Sequence, residues 1–396
     1  MIGLFNDCFP PILDGVSVTV SNYARWLPRY GWNVSVITPK VPSADYSDLP
    51  YEVYPYYSFP MPRRTPYRVG FPQLDFSFAN KIHKVPFDLL HAHCPFSSGH
   101  VALRIAKKRH IPFIATFHSK YRMDIERYVS NKYVVDAMVK RIINFYEEAD
   151  EVWIPQLSVG ETLRSYGYKG AFEVMDNGND LSTPYSPKIK ENYKAKLGIS
   201  SSTPMLLFVG QHILEKNVLF LIDAVNQIKN LNFHLYFVGD GYAANTMISK
   251  VLQCGLQDKV TFAGQIIDRK KLNEYYMASD LFVFPSLYDN APLVVREAAA
   301  MHTPSLLIKG STAAEIINDK INGFLAENNA NAYAGQIKNI ILNPKMMQRV
   351  GDSASGTIVH RWRDVVGEVD DRYNHLIRRY NGEISHVSSR DLVFSS

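Results

Sequence analysis

Residues 280–300 read D-L-F-V-F-P-S-L-Y-D-N-A-P-L-V-V-R-E-A-A-A. The run from Leu281 to Phe284 is apolar without interruption, which predicts a strand of a parallel sheet buried on both faces. A turn over Pro285 to Ala291 follows, Pro292 takes the first helical position, and Leu293 to Ala300 predicts a helix. A strand that feeds directly into a helix amino terminus can hold a phosphate or a sugar oxygen, because the first turn carries unpaired N–H groups and a partial positive charge. Two carboxylates flank that end. Asp289 lies in the turn and Glu297 lies eight positions later, so both can face one ligand from different heights. The same residues also fit a helix with an aspartate cap and an incidental glutamate, and the neighbouring segments must decide.

The chain has 396 residues, more than one ordinary core accommodates, so two domains are expected. A hydrophobic fraction of 46% with 20% charged residues excludes a disordered chain. The net charge of +5 comes from 43 cations against 38 acids, a balance too even to argue for nucleic acid but sufficient for a phosphorylated ligand or an anionic membrane surface. Cys8, Cys94 and Cys254 are far apart and form no C-x-x-C, which indicates neither a disulfide framework nor a zinc site and fits a reducing cytoplasm. No apolar run approaches 18 residues and the start lacks the regions of a signal peptide, so any membrane contact is expected at the surface.

In the amino-terminal half, Ile2 to Phe5 predicts a strand, Asn6 to Val16 a loop, Ser17 to Tyr30 a helix and Asn33 to Thr38 a second strand. This βαβ start predicts a ligand at the carboxyl end of the first strand. Residues 41–71 are dense in Tyr, Phe, Pro and Arg; Arg63, Arg64 and Arg68 fit either an acceptor-facing or membrane-touching lip or a proline-stiffened surface loop. Strands ending in His91-Ala92-His93 and Thr116-Phe117-His118 follow, and His91 and His93 are expected to be structural, satisfied by backbone groups. The spacing of the three histidines matches no familiar metal-ligand pattern, and no metal site is expected. Residues 120–148 have helical spacing, either walling an acceptor or forming an amphipathic core helix. A polar stretch from Leu181 to Thr203 reads as a linker. Strands at Met205 to Val209, His234 to Val238, Val260 to Ala263 and Pro304 to Ile308 then build a second unit.

Across nearly its whole length the chain resembles retaining glycosyltransferase family 4. Asp289 and Glu297 are similar to the two acids of its E-x7-E signature, with Asp for the first Glu and Asn290 where Gly is usual. Val209-Gly210-Gln211 through Glu215-Lys216-Asn217 resembles V-G-R-x-x-x-E-K-N, with Gln211 at the arginine position. Asp88 to His93 resembles D-h-h-H-x-H (h, hydrophobic), Thr116 to His118 resembles T-x-H, and Val238 to Gly241 resembles V-G-D-G. Asp176 to Asp180 is similar to P-N-G-V-D with Asp176 and Asn179 departing. Gly15 matches the second glycine of the first-strand loop and Asp14 replaces the first. Trp362 resembles the Trp of a terminal S-W.

The resemblance implies an α/β protein of GT-B fold, two facing Rossmann-like domains with parallel sheets and an interdomain cleft. Its expected organisation is an acceptor-side domain over 1–180, a linker over 181–203, a nucleotide-sugar domain over 204–355, a helix over 356–385 returning to the first domain, and a frayed tail over 386–396. It implies a metal-independent, retaining hexosyltransferase with no cofactor beyond its nucleotide-sugar donor, a UDP-hexose. Asp289 would contact donor sugar hydroxyls, with a covalent role as the alternative; Glu297 would hold the ribose and His118 an outer hydroxyl of the hexose. Lys216 and the helix start at Leu293 and Val294 would take the diphosphate, helped by Gly210 and Gln211. The backbone at Asn290 and Ala291 would orient the sugar, Ile266 would pack on the base, and Gly15 would let backbone N–H groups approach the phosphates or the acceptor. T-F-H-S-K-Y from Thr116 and D-C-F-P-P from Asp7 are similar to members that glycosylate diacylglycerol or other lipid carriers, so the acceptor is expected to be lipid-linked or a glycan, with peripheral contact at the inner face of the cell membrane through the first domain and no nucleic acid. A non-catalytic nucleotide-sugar-binding protein, for which Asp14, Asp176 and Gln211 argue, and a GT-B epimerase or hydrolase are the alternatives.

Overall fold

The computed structural model describes residues 1–62, 66–179 and 185–383. Arg63, Arg64, Asp180 and the expected tail therefore lie outside the described residues. Two compact units are formed, Met1–Asn177 with the segment from Trp362 onward, and Gly178–Arg361.

The first unit is a seven-stranded parallel sheet. Its strands, with a small antiparallel pair beside them, are β1 Ile2–Phe5, β2 Val34–Pro39, β3 Glu52–Tyr56, β4 Ser58–Pro60, β5 Arg68–Gly70, β6 Leu89–Ala92, β7 Phe113–Thr116, β8 Glu151–Ile154 and β9 Glu173–Val174. The sheet order is β3-β2-β1-β6-β7-β8-β9, with β4 paired to β5 apart from it. Every residue of β1, β2, β6, β7 and β8 is buried, so these strands are mostly apolar on both faces, and the few polar side chains among them, such as His91, Thr116 and Glu151, are buried too. The chain winds outward from β1 to β3 and then returns to the other side of β1. That reversal opens a crevice at the carboxyl ends of β1 and β6.

The first helix is Gly15–Trp26, starting two residues before the predicted Ser17. Asp14 caps it: its carboxylate accepts from the Ser17 N–H at 2.7 Å, and the Asp14 N–H donates to Ser17 Oγ at 2.9 Å. The aspartate that replaces a glycine is thus a helix cap, and Gly15 is an ordinary first helical residue with open space around it. The single helix expected over 120–148 is instead two, Tyr121–Glu126 and Lys132–Glu147. Asn131 restarts the second by accepting from the N–H groups of Tyr133 and Val134.

The second unit is a six-stranded parallel sheet of β10 Met205–Val209, β11 His234–Val238, β12 Val260–Gly264, β13 Leu281–Phe284, β14 Ser305–Ile308 and β15 Phe324–Ala326. The order β12-β11-β10-β13-β14-β15 repeats the reversal, here between β10 and β13. The stretch expected as a linker contains a helix, Pro187–Lys196, belonging to this unit. Ser186 caps it, Pro187 opens it, and Lys190 and Lys194 clasp the Asp280 carboxylate at 2.9 and 2.5 Å. Burial alone would raise the Asp280 pKa, but the two ammonium groups outweigh it and hold the carboxyl below its ordinary value.

Helix Pro344–Thr357 ends the second unit, and the last helix, Trp362–Tyr380, packs into the first. Tyr373 stacks on Trp153 at 5.7 Å, Trp32 Nε1 donates to Asp370 at 2.6 Å, and Arg372 pairs with Glu151 at 3.0 Å. No described helix is long and apolar enough to cross a membrane.

Candidate active site

The crevice of the second unit collects most of the residues singled out from sequence. Gly210 follows β10, and its loop approaches the Gly239-Asp240-Gly241 turn so closely that a Cβ on Gly239 would lie 1.9 Å from the Gly210 carbonyl oxygen. Gly239 also holds φ of 140°, which only glycine adopts freely. The chain then makes a 3-10 turn, Leu214–Lys216, ended by Asn217 at φ 56°. Asn217 Nδ2 donates to the Pro285 carbonyl at 3.0 Å and fastens this loop to the one after β13.

Lys216 is consequently laid along Gly210, with its Nζ 2.7 and 2.8 Å from the two carboxylate oxygens of Asp289 and 5.2 Å from the centre of the Phe284 ring. Ser286 Oγ donates to the same carboxylate at 2.6 Å. The two side chains are only 11% and 19% exposed, so the pair is partly desolvated. Pro292 is the cap of the next helix, Leu293–Ala300, not its first residue, because its ψ of 122° is extended. Leu293 is buried and Val294 packs on the core, so each offers a ligand its backbone N–H and little else.

Glu297 is buried and belongs to a second cluster. Its Oε1 accepts from Arg269 at 2.8 Å and its Oε2 from the Tyr276 hydroxyl at 2.7 Å. Arg269 and Tyr276 stand seven residues apart on helix Arg269–Ala278, two turns along one face. That face was readable in the sequence; its meeting with Glu297 was not. Ile266 lies just beyond β12, half-buried against the core, Gln211 and Ala291 are half-buried, and Asn290 is buried. Ser286, Asn217, Arg269 and Tyr276 were not foreseen, although a serine three residues before the acid was a usable signal.

The crevice of the first unit is built differently. Asp7, two residues past β1, accepts through Oδ1 from the Tyr56 hydroxyl, Ser97 Oγ, Ser98 Oγ and the Ser98 N–H at 2.6–2.9 Å. Its Oδ2 accepts from the Cys94 thiol at 3.2 Å. The carboxylate sits at the start of helix Ser97–Arg109 and complements its dipole. Burial first and the Asp7 charge second push the Cys94 thiol well above its ordinary pKa, so it stays protonated.

His91 is satisfied by side chains, not by backbone as expected, and His93 is paired through one ring nitrogen only among the described residues. His91 is held by the Tyr373 hydroxyl on Nδ1 and Thr116 Oγ1 on Nε2, both at 2.6 Å, and His93 Nδ1 lies 3.1 Å from His118 Nε2. Burial pushes all three pKa values down, His118 to about 3, so the rings are neutral at physiological pH. Among the described residues no group of three or more His, Cys, Asp or Glu side chains is placed to hold a metal.

Residues 13–183 match the model of Glycosyltransferase Family 4, and residues 189–356 match that of Glycosyl transferases group 1. The chain is similar to the alpha-monoglucosyldiacylglycerol synthase of Streptococcus pneumoniae, with 27% identity over 357 residues that cover 87% of this chain and 79% of the relative. Among solved structures it is similar to sucrose-phosphate synthase from Thermosynechococcus elongatus, with a TM-score of 0.79 and 21% identity over 96% of this chain and 99% of that one. HepE of Anabaena in complex with UDP and glucose gives a TM-score of 0.76 and 17% identity over 94% of this chain and 99% of that one. Two Rossmann-like units, each wound about a central reversal and each matched by its own family model, place this chain among the family 4, group 1 glycosyltransferases of GT-B fold.

Proposed function

We propose that this glycosyltransferase moves a hexose from a UDP-linked donor, with retention and without a metal, to a lipid-linked acceptor in glycolipid synthesis. The observation that carries the proposal is the Lys216–Asp289 pair set at the β10/β13 reversal beside the start of helix Leu293–Ala300. An entering diphosphate competes with Asp289 for the Lys216 ammonium, and the Leu293 and Val294 N–H groups add helix-end charge. Asp289 is then released to accept hydrogen bonds from sugar hydroxyls. Glu297, fixed by Arg269 and Tyr276, holds the ribose, Ile266 lies against the base, and His118 donates to a hydroxyl of the hexose. In front-face transfer the leaving phosphate oxygen takes the acceptor proton, so these residues orient groups and stabilise charge without a protein nucleophile.

The lipid acceptor is supported by the name of the Streptococcus relative, and UDP by that of the Anabaena complex. The surface of the first unit agrees with a peripheral position at the cytoplasmic face of a membrane. Helix Lys132–Glu147 and the turn before it expose Tyr128, Tyr133, Val134 and Met138, Tyr133 being 85% exposed, among Arg127, Lys132, Lys140 and Arg141. An apolar strip rimmed by cations is what an anionic bilayer surface binds. A growing surface polysaccharide is the second acceptor class.

The test is a screen of nucleotide sugars with a membrane lipid extract, with and without chelator, using Lys216→Ala and Glu297→Ala as controls. Transfer from one donor to lipid, insensitive to chelator and lost in both variants, is the expected result. A β-linked product from an α-linked donor overturns retention, and donor consumption without acceptor favours a hydrolase or epimerase. Gln211 supports one rival, a binding protein that no longer turns over, and UDP binding without transfer to any lipid or oligosaccharide would select it.

A further inference from the structure

His93 takes no part in the mechanism above, yet it is one of the most enclosed polar side chains in the first unit, 1% exposed. Its ring lies between His91, with centroids 4.1 Å apart, and His118, stacked at 5.3 Å, while Tyr23 stands edge-on at 5.5 Å. Nδ1 meets His118 Nε2 at 3.1 Å, and Nε2 is buried with no hydrogen-bond partner among the described residues. This asymmetry determines where the protons sit.

A neutral imidazole carries one N–H and one lone pair. If the His93 proton were on Nε2, a buried N–H would have no acceptor; Tyr23 offers at most a weak N–H···π contact. If it is on Nδ1, the N–H donates to His118 and the unpaired atom is a bare acceptor. Unpaired buried N–H groups are the rarer of the two defects. The second arrangement therefore wins, and it has a consequence for His118. Because its Nε2 accepts, its own proton is on Nδ1.

We propose that His93 is a positioning residue that locks His118 as the Nδ1–H tautomer, so that His118 serves the reaction as a hydrogen-bond donor and not as a base. A hydroxyl oxygen of the hexose is the class of partner this tautomer selects. The lock is a property of the protein alone; its effect on catalysis rests on the reading of His118 given above.

Two measurements separate these levels. Long-range 1H–15N NMR of histidine-labelled full-length protein without substrate reads the tautomer directly. Expected is a protonated Nδ1 and a bare Nε2 for His118, a mixture of tautomers in His93→Leu, and restoration in His93→Asn, whose amide returns an N–H near the Nδ1 position. A proton on His118 Nε2 in the wild type, or an unchanged tautomer in His93→Leu, overturns the proposal whatever the activity. In kinetics, His93→Leu should raise KM for the nucleotide sugar or lower kcat by roughly 2- to 10-fold, the worth of one neutral hydrogen bond, with His93→Asn recovering most of it. UDP binding, which involves no hexose, should not change. If the NMR results hold while activity is indifferent to His93, the lock stands and the role of His118 towards the sugar falls.

Discussion

The two units share one winding and use it for opposite chemistry. At the β10/β13 reversal two ion pairs are gathered, Lys216 against Asp289 and Arg269 against Glu297, and at the start of β13 Asp280 is clasped by two lysines. At the β1/β6 reversal the imidazoles are neutral, His91 joined to two hydroxyls and His93 to His118, and the Asp7 carboxylate is surrounded by hydroxyl, thiol and N–H donors. A parallel sheet that reverses about its centre provides a crevice, and side chains alone decide whether it is lined by ion pairs or by neutral donors and acceptors.

The largest way to break this contrast is Asp280→Ala, which strands Lys190 and Lys194 beside an apolar strand. Removing one member of such a buried ion set costs about 3–5 kcal/mol, to be read by urea denaturation followed by far-UV CD. Lys216→Ala removes the ammonium from the leaving group and should lower kcat by about 100- to 1000-fold, measured as transfer at saturating donor; a loss under tenfold would contradict its assignment. In the first unit Tyr373→Phe leaves His91 Nδ1 without its partner, for about 1–3 kcal/mol. All four tryptophans, Trp26, Trp32, Trp153 and Trp362, belong to this unit, so their fluorescence reports on it alone. Gln211→Arg is the mildest change, adding a second cation and tightening UDP binding by up to about tenfold, an increment that added salt should erase.

Acid sharpens the same contrast. The histidine pKa values are lowered on folding, His118 from 6.5 to about 3, so between those values the unfolded chain binds protons that the folded chain does not, and stability falls as the pH drops. Asp280 is also lowered, from 3.8, so its contribution is complete above that value and is lost as the pH falls through the folded pKa. Tryptophan fluorescence should therefore show the first unit weakening from about pH 6.5 downward, while the Asp280 contribution, measured as wild type against Asp280→Ala, should fade only below about pH 4. Simultaneous loss of both would mean that ionisation does not distinguish the units.

Much of this was legible because buried parallel strands announce themselves. The runs Ile2–Phe5, Met205–Val209, His234–Val238 and Leu281–Phe284 are strands at the predicted bounds, since burial on both faces makes them apolar apart from the half-buried His234 that opens one of them. Helix Pro187–Lys196 was hidden by its polarity: it is held by lysines reaching Asp280, a contact 90 residues away in the chain in the case of Lys190, and only Ser186-Pro187 hinted at its start. Lys216 and Asp289 were each recognisable within their motifs. Their pairing required knowing that β10 and β13 are neighbours, which no local pattern states. Asp7, Tyr56, Tyr373 and Arg269 escaped for the same reason, as their partners are set by sheet order.

Trp362–Tyr380 has one more consequence, for the order in which the protein is made. Residues 178–361 are an insertion within the first unit, and that unit is finished only when the last helix is added. A ribosome therefore completes the second unit while the first still lacks Tyr373 for His91 and Trp153, and Asp370 for Trp32. The half of the protein translated first is the half that matures last, and until then its apolar surface under the missing helix is open to chaperones.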